Sequence, residues 1–135
     1  MKVLFYWNTV HVTGSLKFYY FKCFIINYFL GKVWNEGGIP ILGLHGWMDN
    51  AGTFDTLAPL LPSTHSLIAI DFPGHGLSSR KPPGFGSVFT ELLSVIHRVV
   101  EHFSWEKVIL ISLMKILHMN INFINIYLSF KCKYN

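Results

Sequence analysis

The chain has 135 residues, of which 51% are hydrophobic, and a formal net charge of +4. This length allows one domain at most, and the apolar content excludes a chain that is disordered throughout. The charge does not indicate a nucleic-acid binder, because residues 36–106 hold all seven acidic residues against three basic ones, and the excess of Lys and Arg lies in the two flanks. The two cysteines, Cys23 and Cys132, lack metal-ligand spacing, so we predict reduced thiols, no metal and no cofactor.

Glycine and proline separate three regions of the chain. All six prolines lie within residues 40–83, and ten of the eleven glycines lie within residues 31–86. Since these residues mark turns and caps, we predict three parts: an atypical hydrophobic N-terminal segment (1–30), a folded part (31–112) and an atypical tail (113–135). The flanks are rich in Ile, Asn, Lys, Phe and Tyr, which share A/T-rich codons. One hypothesis is therefore that the flanks are translated non-coding sequence.

A membrane anchor is the rival hypothesis for the flanks. A spanning helix needs about 20 predominantly apolar residues, whereas the apolar run at residues 18–30 is shorter and contains Lys22 and Asn27. A secretory signal is poorly matched, because no small-residue cleavage site follows Leu30. We therefore predict a cytoplasmic location and leave peroxisomal or membrane-associated placement open.

For the secondary structure of the flanks, we expect edge strands before Gly31 and a helical tail, since the tail lacks Gly and Pro.

Strands and helices alternate in the middle of the chain. Three short apolar runs predict buried strands: residues 39–44, 67–70 and 108–111. Residues 54–61 have helical spacing with Thr53 as N-cap, and residues 89–103 repeat apolar positions at i, i+3, i+4 and i+7 with Ser87 as cap. This alternation predicts the α/β class, with a parallel sheet covered by helices. We expect three strands to be neighbours: those that end at Leu44, Ile70 and Ile111.

The carboxyl ends of these strands carry the informative residues, because ligands of such sheets bind there. Two stretches are found: LHGWMDNAGTFD at residues 44–55 and AIDFPGHGLSS at residues 69–79. In this order and spacing they resemble the α/β-hydrolase superfamily and, within it, the serine hydrolase-like protein group. The resemblance covers about residues 31–111. It implies a partial α/β-hydrolase fold, a parallel sheet flanked by helices and truncated after the third parallel strand.

The resemblance also implies roles for the residues of both stretches. Gly46 and Trp47 match the oxyanion loop, in which Gly46 permits the tight turn and the Trp47 backbone N–H is the donor to the reaction intermediate. The Trp47 side chain would form a wall of the acyl pocket, and the family implies a small-molecule, ester-like substrate. Five further residues are expected to brace these loops: His45, Asp71, Gly74, His75 and Gly76.

The sequence departs from the family at the expected nucleophile. Family members place a serine in a Gly-x-Ser-x-Gly elbow after the third strand, whereas the positions that flank Ser112 are Leu110 and Met114. No Asp or Glu follows Ser112, and His118 is only six residues further on. We therefore expect a carboxylic-ester-type serine hydrolase fragment that lacks the catalytic triad and is inactive alone. It should have an open hydrophobic edge after the Ile111 strand and poor solubility.

Other functions stay open at this point. The half-fold could serve as a non-catalytic interaction module, and the aromatic flanks could belong to a small membrane-associated protein. Within the superfamily, the alternative is an epoxide hydrolase or dehalogenase with an aspartate nucleophile. Without the elbow residues, the sequence does not identify the type of nucleophile.

Overall fold

A computed structural model describes the backbone of residues 9–11, 17–22, 28–81, 89–113 and 124–129, and the side chains of residues 30–81 and 92–113. Its strands are β1 (Thr9–His11), β2 (Lys17–Lys22), β3 (Tyr28–Trp34), β4 (Ile39–Leu44), β5 (His65–Ile70), β6 (Lys107–Ser112) and β7 (Ile124–Ser129). The α-helix α1 spans Phe89–His102, and two 3₁₀ helices span Ala51–Phe54 and Ala58–Leu60. No helix within these ranges is both long enough and apolar enough to cross a membrane.

The strands form one sheet in the order β1-β2-β3-β5-β4-β6-β7. The central β5, β4 and β6 are parallel, and Leu44 is paired with Ile70 on one side and with Ser112 on the other. This confirms the predicted α/β class and the predicted neighbours, with β5 and β6 flanking β4. The three carboxyl ends therefore meet at one edge of the sheet, and the loops that leave them lie side by side.

The N-terminal strands extend the sheet beyond β5. β3 pairs antiparallel with β5, β2 with β3, and β1 with β2. The prediction of edge strands before Gly31 is confirmed by β1 and β2. Leu30 and Gly31, on either side of the predicted boundary, both lie inside β3.

The prediction of a helical tail is wrong for residues 124–129. They form β7, which pairs antiparallel with β6 from Ser129 opposite Lys107 to Ile124 opposite Ile111. The predicted open edge of β6 is therefore covered by β7. Lack of helix breakers does not decide the structure here, because Ile and Tyr favour strands and the edge of β6 offers unpaired backbone groups.

The prediction of one helix over residues 54–61 with Thr53 as its cap is also wrong. Two 3₁₀ helices occupy this stretch, and the first is capped by Asn50, whose side chain accepts a hydrogen bond from the Gly52 N–H at 2.8 Å. Pro59 lies in the second. A proline lacks the N–H of a helical hydrogen bond and its ring clashes with the preceding turn, so a continuous α-helix through this position is disfavoured.

The helix α1 forms where the apolar spacing predicts it. Val95, Ile96, Val99 and Val100 are buried, whereas Leu93 is 51% exposed although it belongs to the apolar pattern. The buried face is thus rotated slightly from the predicted one. The predicted cap, Ser87, lies outside the described residues.

The two faces of the sheet bury different clusters. One face packs α1 against strand residues that include Leu42, Leu44, Ile68 and Ile70. The other packs Phe54 and Ala58 of the 3₁₀ helices against strand residues: Ile41, Leu67 and Ala69. Gly43 makes this second contact possible, since a Cβ there would lie 3.0 Å from two ring carbons of Phe54.

Candidate functional site

The loop after β4 begins with a fully buried histidine, His45. Its Nε2 accepts a hydrogen bond from the Phe72 backbone N–H at 3.1 Å, so the proton is on Nδ1, which donates to the Gly46 carbonyl at 2.8 Å. Burial lowers the pKa of His45, and the hydrogen bond to the Gly46 carbonyl and the charge of Asp71 oppose this only partly. His45 is therefore neutral at pH 7, and both of its ring nitrogens form hydrogen bonds to backbone groups.

The far end of the same loop is held by Asp71, which follows β5 and is 6% exposed. Its Oδ1 accepts a hydrogen bond from the Ala51 N–H at 2.6 Å, and its Oδ2 accepts one from the Leu77 N–H at 2.8 Å. One carboxylate thus joins the loop after β4 to the turn after β5. Charge-assisted hydrogen bonds of this kind are roughly twice as strong as neutral ones.

The turn after β5 depends on two glycines with positive φ, Gly74 (85°) and Gly76 (50°). A Cβ at Gly76 would overlap the carboxylate of Asp71, so only glycine allows the backbone to approach that group. The half-buried His75 donates its backbone N–H to the Phe72 carbonyl at 2.8 Å. Its ring lies 5.1 Å from that of His45, centre to centre.

Ser78 is a buried residue of this turn that was not predicted as part of the site. Its hydroxyl donates to the Asp71 carbonyl at 2.6 Å and accepts from the Leu30 N–H at 2.8 Å. These two hydrogen bonds of the Ser78 hydroxyl link the turn to β3. Ser78 lies in the AIDFPGHGLSS stretch, but its partner on β3 is 48 residues away in the chain, which sequence spacing alone does not reveal.

The middle of the loop after β4 is exposed. Trp47 is 71% exposed, and its ring lies edge-on to that of His75, with 6.5 Å between the ring centroids. Within the described ranges, no backbone carbonyl accepts a hydrogen bond from the Trp47 N–H. Gly46 begins a turn in which the Asp49 N–H donates to its carbonyl at 3.4 Å, and the residue with positive φ in this turn is Met48 (55°). A Cβ on Gly46 would lie 3.4 Å from the Leu113 carbonyl oxygen, so its small size serves a close approach.

Ser112 is the last residue of β6, beside Leu44 in the register. The next residue, Leu113, donates its N–H to the Leu44 carbonyl at 2.9 Å, so regular parallel pairing continues past the serine. Ser112 therefore lies one strand away from the start of the His45 loop. Met114 and His118 lie outside the described residues.

A cavity of about 330 Å³ opens beside Asp71 on the side of β3, lined by residues that include Lys32, Ala51 and Leu77. Neither Trp47 nor Ser112 lines it. The Lys32 ammonium near it is paired with the Asp55 carboxylate at 2.9 Å. This cavity is thus separate from Trp47.

Comparison with known proteins agrees with this architecture. Residues 39–112 match the α/β hydrolase fold family. The chain is 51% identical over 78 residues to a serine hydrolase-like protein of Danio rerio, an alignment that covers 57% of this chain and 24% of that protein. The chain thus spans about a quarter of that relative's length.

Solved structures give the same fold. An esterase from Exiguobacterium antarcticum superposes with a TM-score of 0.55 and 26% identity, covering 62% of this chain and 30% of the esterase. A haloalkane dehalogenase loop variant from Bradyrhizobium elkanii superposes with a TM-score of 0.63 over 73% of this chain and 32% of its own. At 15% identity, the second likeness concerns the fold alone. The chain belongs to the α/β-hydrolase family, and its similarity there is to the serine hydrolase-like proteins.

Proposed function

We propose that this chain keeps the oxyanion loop of an ester-type serine hydrolase but has no activated nucleophile, so that it does not hydrolyse esters by itself. The observation that carries the proposal is a contrast at the carboxyl edge of the sheet. The Trp47 N–H stands unpaired among the described residues on a loop held at both ends, whereas Ser112 continues an ordinary strand.

The oxyanion half of the proposal rests on how the loop is held. Phe72 binds the ring of His45 at the start of the loop, and Asp71 binds the Ala51 N–H at its end. Two adjacent residues after β5 thus fix both ends of the loop that presents Trp47. Such fixed donors stabilise an oxyanion because they need no reorganisation, and each contributes about 3–4 kcal/mol to the transition state when a complete site is present.

The nucleophile half rests on the context of Ser112. In this fold the nucleophilic serine occupies a strained turn between a strand and a helix, and flanking glycines make room for it. Ser112 has Leu110 and Met114 at those positions. The next described strand, β7, is antiparallel to β6, and ten residues separate its start from Leu113. In this fold the elbow leads into a helix and then into a further strand parallel to β6, so an antiparallel β7 does not favour an elbow.

The proposal extends to the organisation of the chain and its ligand. Residues 31–112 are the hydrolase portion, and residues 1–30 and 113–135 are atypical flanks; the family match over residues 39–112 supports this division. A small neutral ester is the ligand class that the loop would recognise, in keeping with the esterase likeness at 26% identity. A cytoplasmic location remains a prediction.

Turnover of a simple aryl ester tests the proposal. We expect the purified chain to release the phenol at the rate of buffer alone, and Ser112→Ala to behave identically. Turnover by the chain that is lost in Ser112→Ala and kept in His118→Ala would contradict the proposal and make Ser112 a nucleophile of an unusual kind.

A further inference from the structure

Four polar side chains are buried in the described part of the chain, and Ser66 differs from the other three. His45, Asp71 and Ser78 each make hydrogen bonds at the carboxyl edge of the sheet. Ser66, which is 8% exposed, lies at the opposite end, near the start of β5. Its hydroxyl forms no hydrogen bond with any described group, whereas buried polar groups are generally paired. Since no fully buried polar atom in the described ranges lacks a partner, the Ser66 oxygen is open to a neighbouring space.

This space is a cavity of about 240 Å³ at the amino ends of β4 and β5, which Ser66 lines. It lies on the α1 face of the sheet, because Val33 and Ile68 of its lining belong to the cluster that packs against that helix. The other lining residues are Glu36, Gly37, Gly38, Pro40, Phe103 and Trp105. Ligand pockets usually enclose about 300 Å³ or more. The volume therefore fits a compound of a few heavy atoms.

The aromatic wall of the cavity is fixed by the end of α1. The Trp105 backbone N–H donates to the Val100 carbonyl at 3.0 Å and the Ser104 N–H to the Glu101 carbonyl at 3.0 Å, with φ of 52° at Ser104. This is the Schellman arrangement, in which a left-handed residue ends the helix. The Phe103 and Trp105 rings are stacked, with 4.7 Å between their centroids and 12° between their planes. The wall is therefore held by backbone hydrogen bonds of the protein itself.

The glycine rim of the cavity is fixed as well. The Asn35 amide donates to the His65 carbonyl at 3.2 Å, and the Ile39 N–H donates to the Thr64 carbonyl at 2.9 Å. Gly38 has a φ of 80°, and a Cβ there would overlap the Thr64 carbonyl oxygen, so only glycine allows this close approach. These contacts join the rim to the segment that leads to Ser66.

The lining offers more free hydrogen-bond donors than acceptors. The Ser66 hydroxyl and the Trp105 indole N–H have no partner among the described residues, and neither have the backbone N–H groups of Gly37 and Gly38. Apart from Ser66, the side-chain acceptor in the described lining is the carboxylate of Glu36, a residue that already interacts within the protein. A ligand that complements this lining therefore supplies an acceptor, such as a carbonyl oxygen.

The charges around the cavity balance and do not favour an ion of either sign. The described strands, loops and helix end place three carboxylates and three cationic side chains here: Glu36, Glu101 and Glu106 against Lys17, Arg98 and Lys107. Lys17 belongs to this set because the register places it beside Val33. A neutral ligand avoids the cost of bringing an ion out of water into such a mixed environment.

We propose that this cavity binds a small neutral carbonyl compound of a few heavy atoms. The carbonyl oxygen accepts hydrogen bonds from the Ser66 hydroxyl and the Trp105 indole N–H, and the alkyl groups contact Val33, Ile68 and the aromatic wall. The site is independent of the proposed oxyanion loop, which lies at the other end of the sheet, so the outcome of an esterase assay has no bearing on it.

Titration of the full chain with N,N-dimethylacetamide, followed by NMR of the indole N–H signals, tests the proposal. This neutral compound has a carbonyl oxygen and no N–H donor. We expect a saturating shift of the Trp105 signal, identified by its loss in Trp105→Phe, with a dissociation constant on the order of 10 mM. The Trp47 signal, at the other end of the sheet, should not move. Trimethylammonium has a similar size but no acceptor and should bind at least about fivefold more weakly.

A matched pair of serine variants separates binding from a structural role of the hydroxyl. Ser66→Ala should weaken binding about fivefold, as expected for loss of one neutral hydrogen bond. It should leave stability in urea unchanged or higher, because the hydroxyl has no partner within the described protein. Ser63→Ala removes an exposed hydroxyl of the same end that does not line the cavity, and it should keep the dissociation constant within about twofold.

Four results would each overturn the proposal. The first is the absence of a saturating shift at Trp105, and the second is equal binding of trimethylammonium. The third is acetate that binds more tightly than N,N-dimethylacetamide by more than about fivefold, which would indicate an anion site. The fourth is Ser66→Ala that binds as well as Ser63→Ala, or that is less stable than Ser63→Ala, since the hydroxyl would then have no ligand or a structural partner.

Discussion

The loop after β4 and the end of β6 leave the same edge of the sheet one strand apart, but they are held in different ways. The loop is fixed at His45 and at Ala51 by the residues that come after β5. The end of β6 is held by strand pairing, with β4 on one side and β7 on the other. The loop that presents Trp47 is therefore held by contacts within residues 45–78, whereas a nucleophile elbow, and the second oxyanion donor that follows it, would depend on the segment after β6. The two halves of the proposed site are separable because different contacts support them.

Loss of the Asp71 carboxylate should give the largest effect on stability. Asp71→Ala leaves the N–H of the buried Ala51 and that of Leu77 without their acceptor, and we expect unfolding free energy to fall by about 3 kcal/mol. Asp55→Ala is the matched control, since this exposed carboxylate only pairs with Lys32 and should cost less than about 1 kcal/mol. Equal losses for the two variants in urea denaturation would show that Asp71 does not hold the loop.

The turn after β5 offers a second, smaller test. Gly76→Ala and Gly74→Ala both place a side chain at positive φ, which costs about 1 kcal/mol. Only the first also forces a Cβ into the Asp71 carboxylate, whereas a Cβ at Gly74 would lie 3.6 Å from the Lys81 side chain. We expect Gly76→Ala to be less stable than Gly74→Ala by about 2 kcal/mol in the same denaturation experiment. A smaller loss in Gly76→Ala than in Gly74→Ala would contradict the close approach.

The pH dependence of stability should report the neutral state of His45. Burial lowers its pKa in the folded protein below the ordinary value of 6.5. The unfolded chain therefore binds this proton at higher pH, and unfolding free energy should fall as the pH drops below 6.5. Burial also lowers the pKa of His102, which adds a slope of the same sign. His45→Gln should make the profile between pH 7 and pH 5 shallower without flattening it, and an unchanged slope would exclude the buried neutral ring.

The smallest effect is expected at Ser112. As an ordinary, half-buried strand residue it should tolerate replacement by alanine at a cost below about 1 kcal/mol. A serine activated in an elbow would behave differently, because an active-site group is commonly kept at a cost in stability that its removal recovers. Denaturation of Ser112→Ala that showed a gain of more than about 1 kcal/mol would therefore point to an elbow after β6.

Much of this fold is predictable because its central features are local in the sequence. The three parallel strands follow from short apolar runs, and the loops at their carboxyl ends follow from the HGW and GHG stretches. The errors lie where a tertiary or backbone constraint outweighs the pattern. Apolar spacing at residues 54–61 suggests a helix, but Pro59 and the Asn50 cap give two 3₁₀ helices. The prediction for the tail is wrong because strand pairing to β6 is invisible in its composition.

Parts of the candidate site could not be predicted from the sequence, because they depend on tertiary contacts. The role of Ser78 depends on β3, an antiparallel strand whose position beside β5 cannot be read from local pattern. The close approach of Gly46 to the Leu113 carbonyl likewise depends on the pairing of β4 with β6. Both are contacts between segments that are far apart in the chain.

Covalent labelling by a fluorophosphonate tests the central claim most directly, because this reagent phosphonylates only serines that are activated as nucleophiles, with loss of fluoride. Intact-mass analysis of the 135-residue chain should show no adduct under conditions that label a control serine protease completely. A stoichiometric adduct at Ser112, absent from Ser112→Ala, would show an activated serine beside the oxyanion loop and contradict the account.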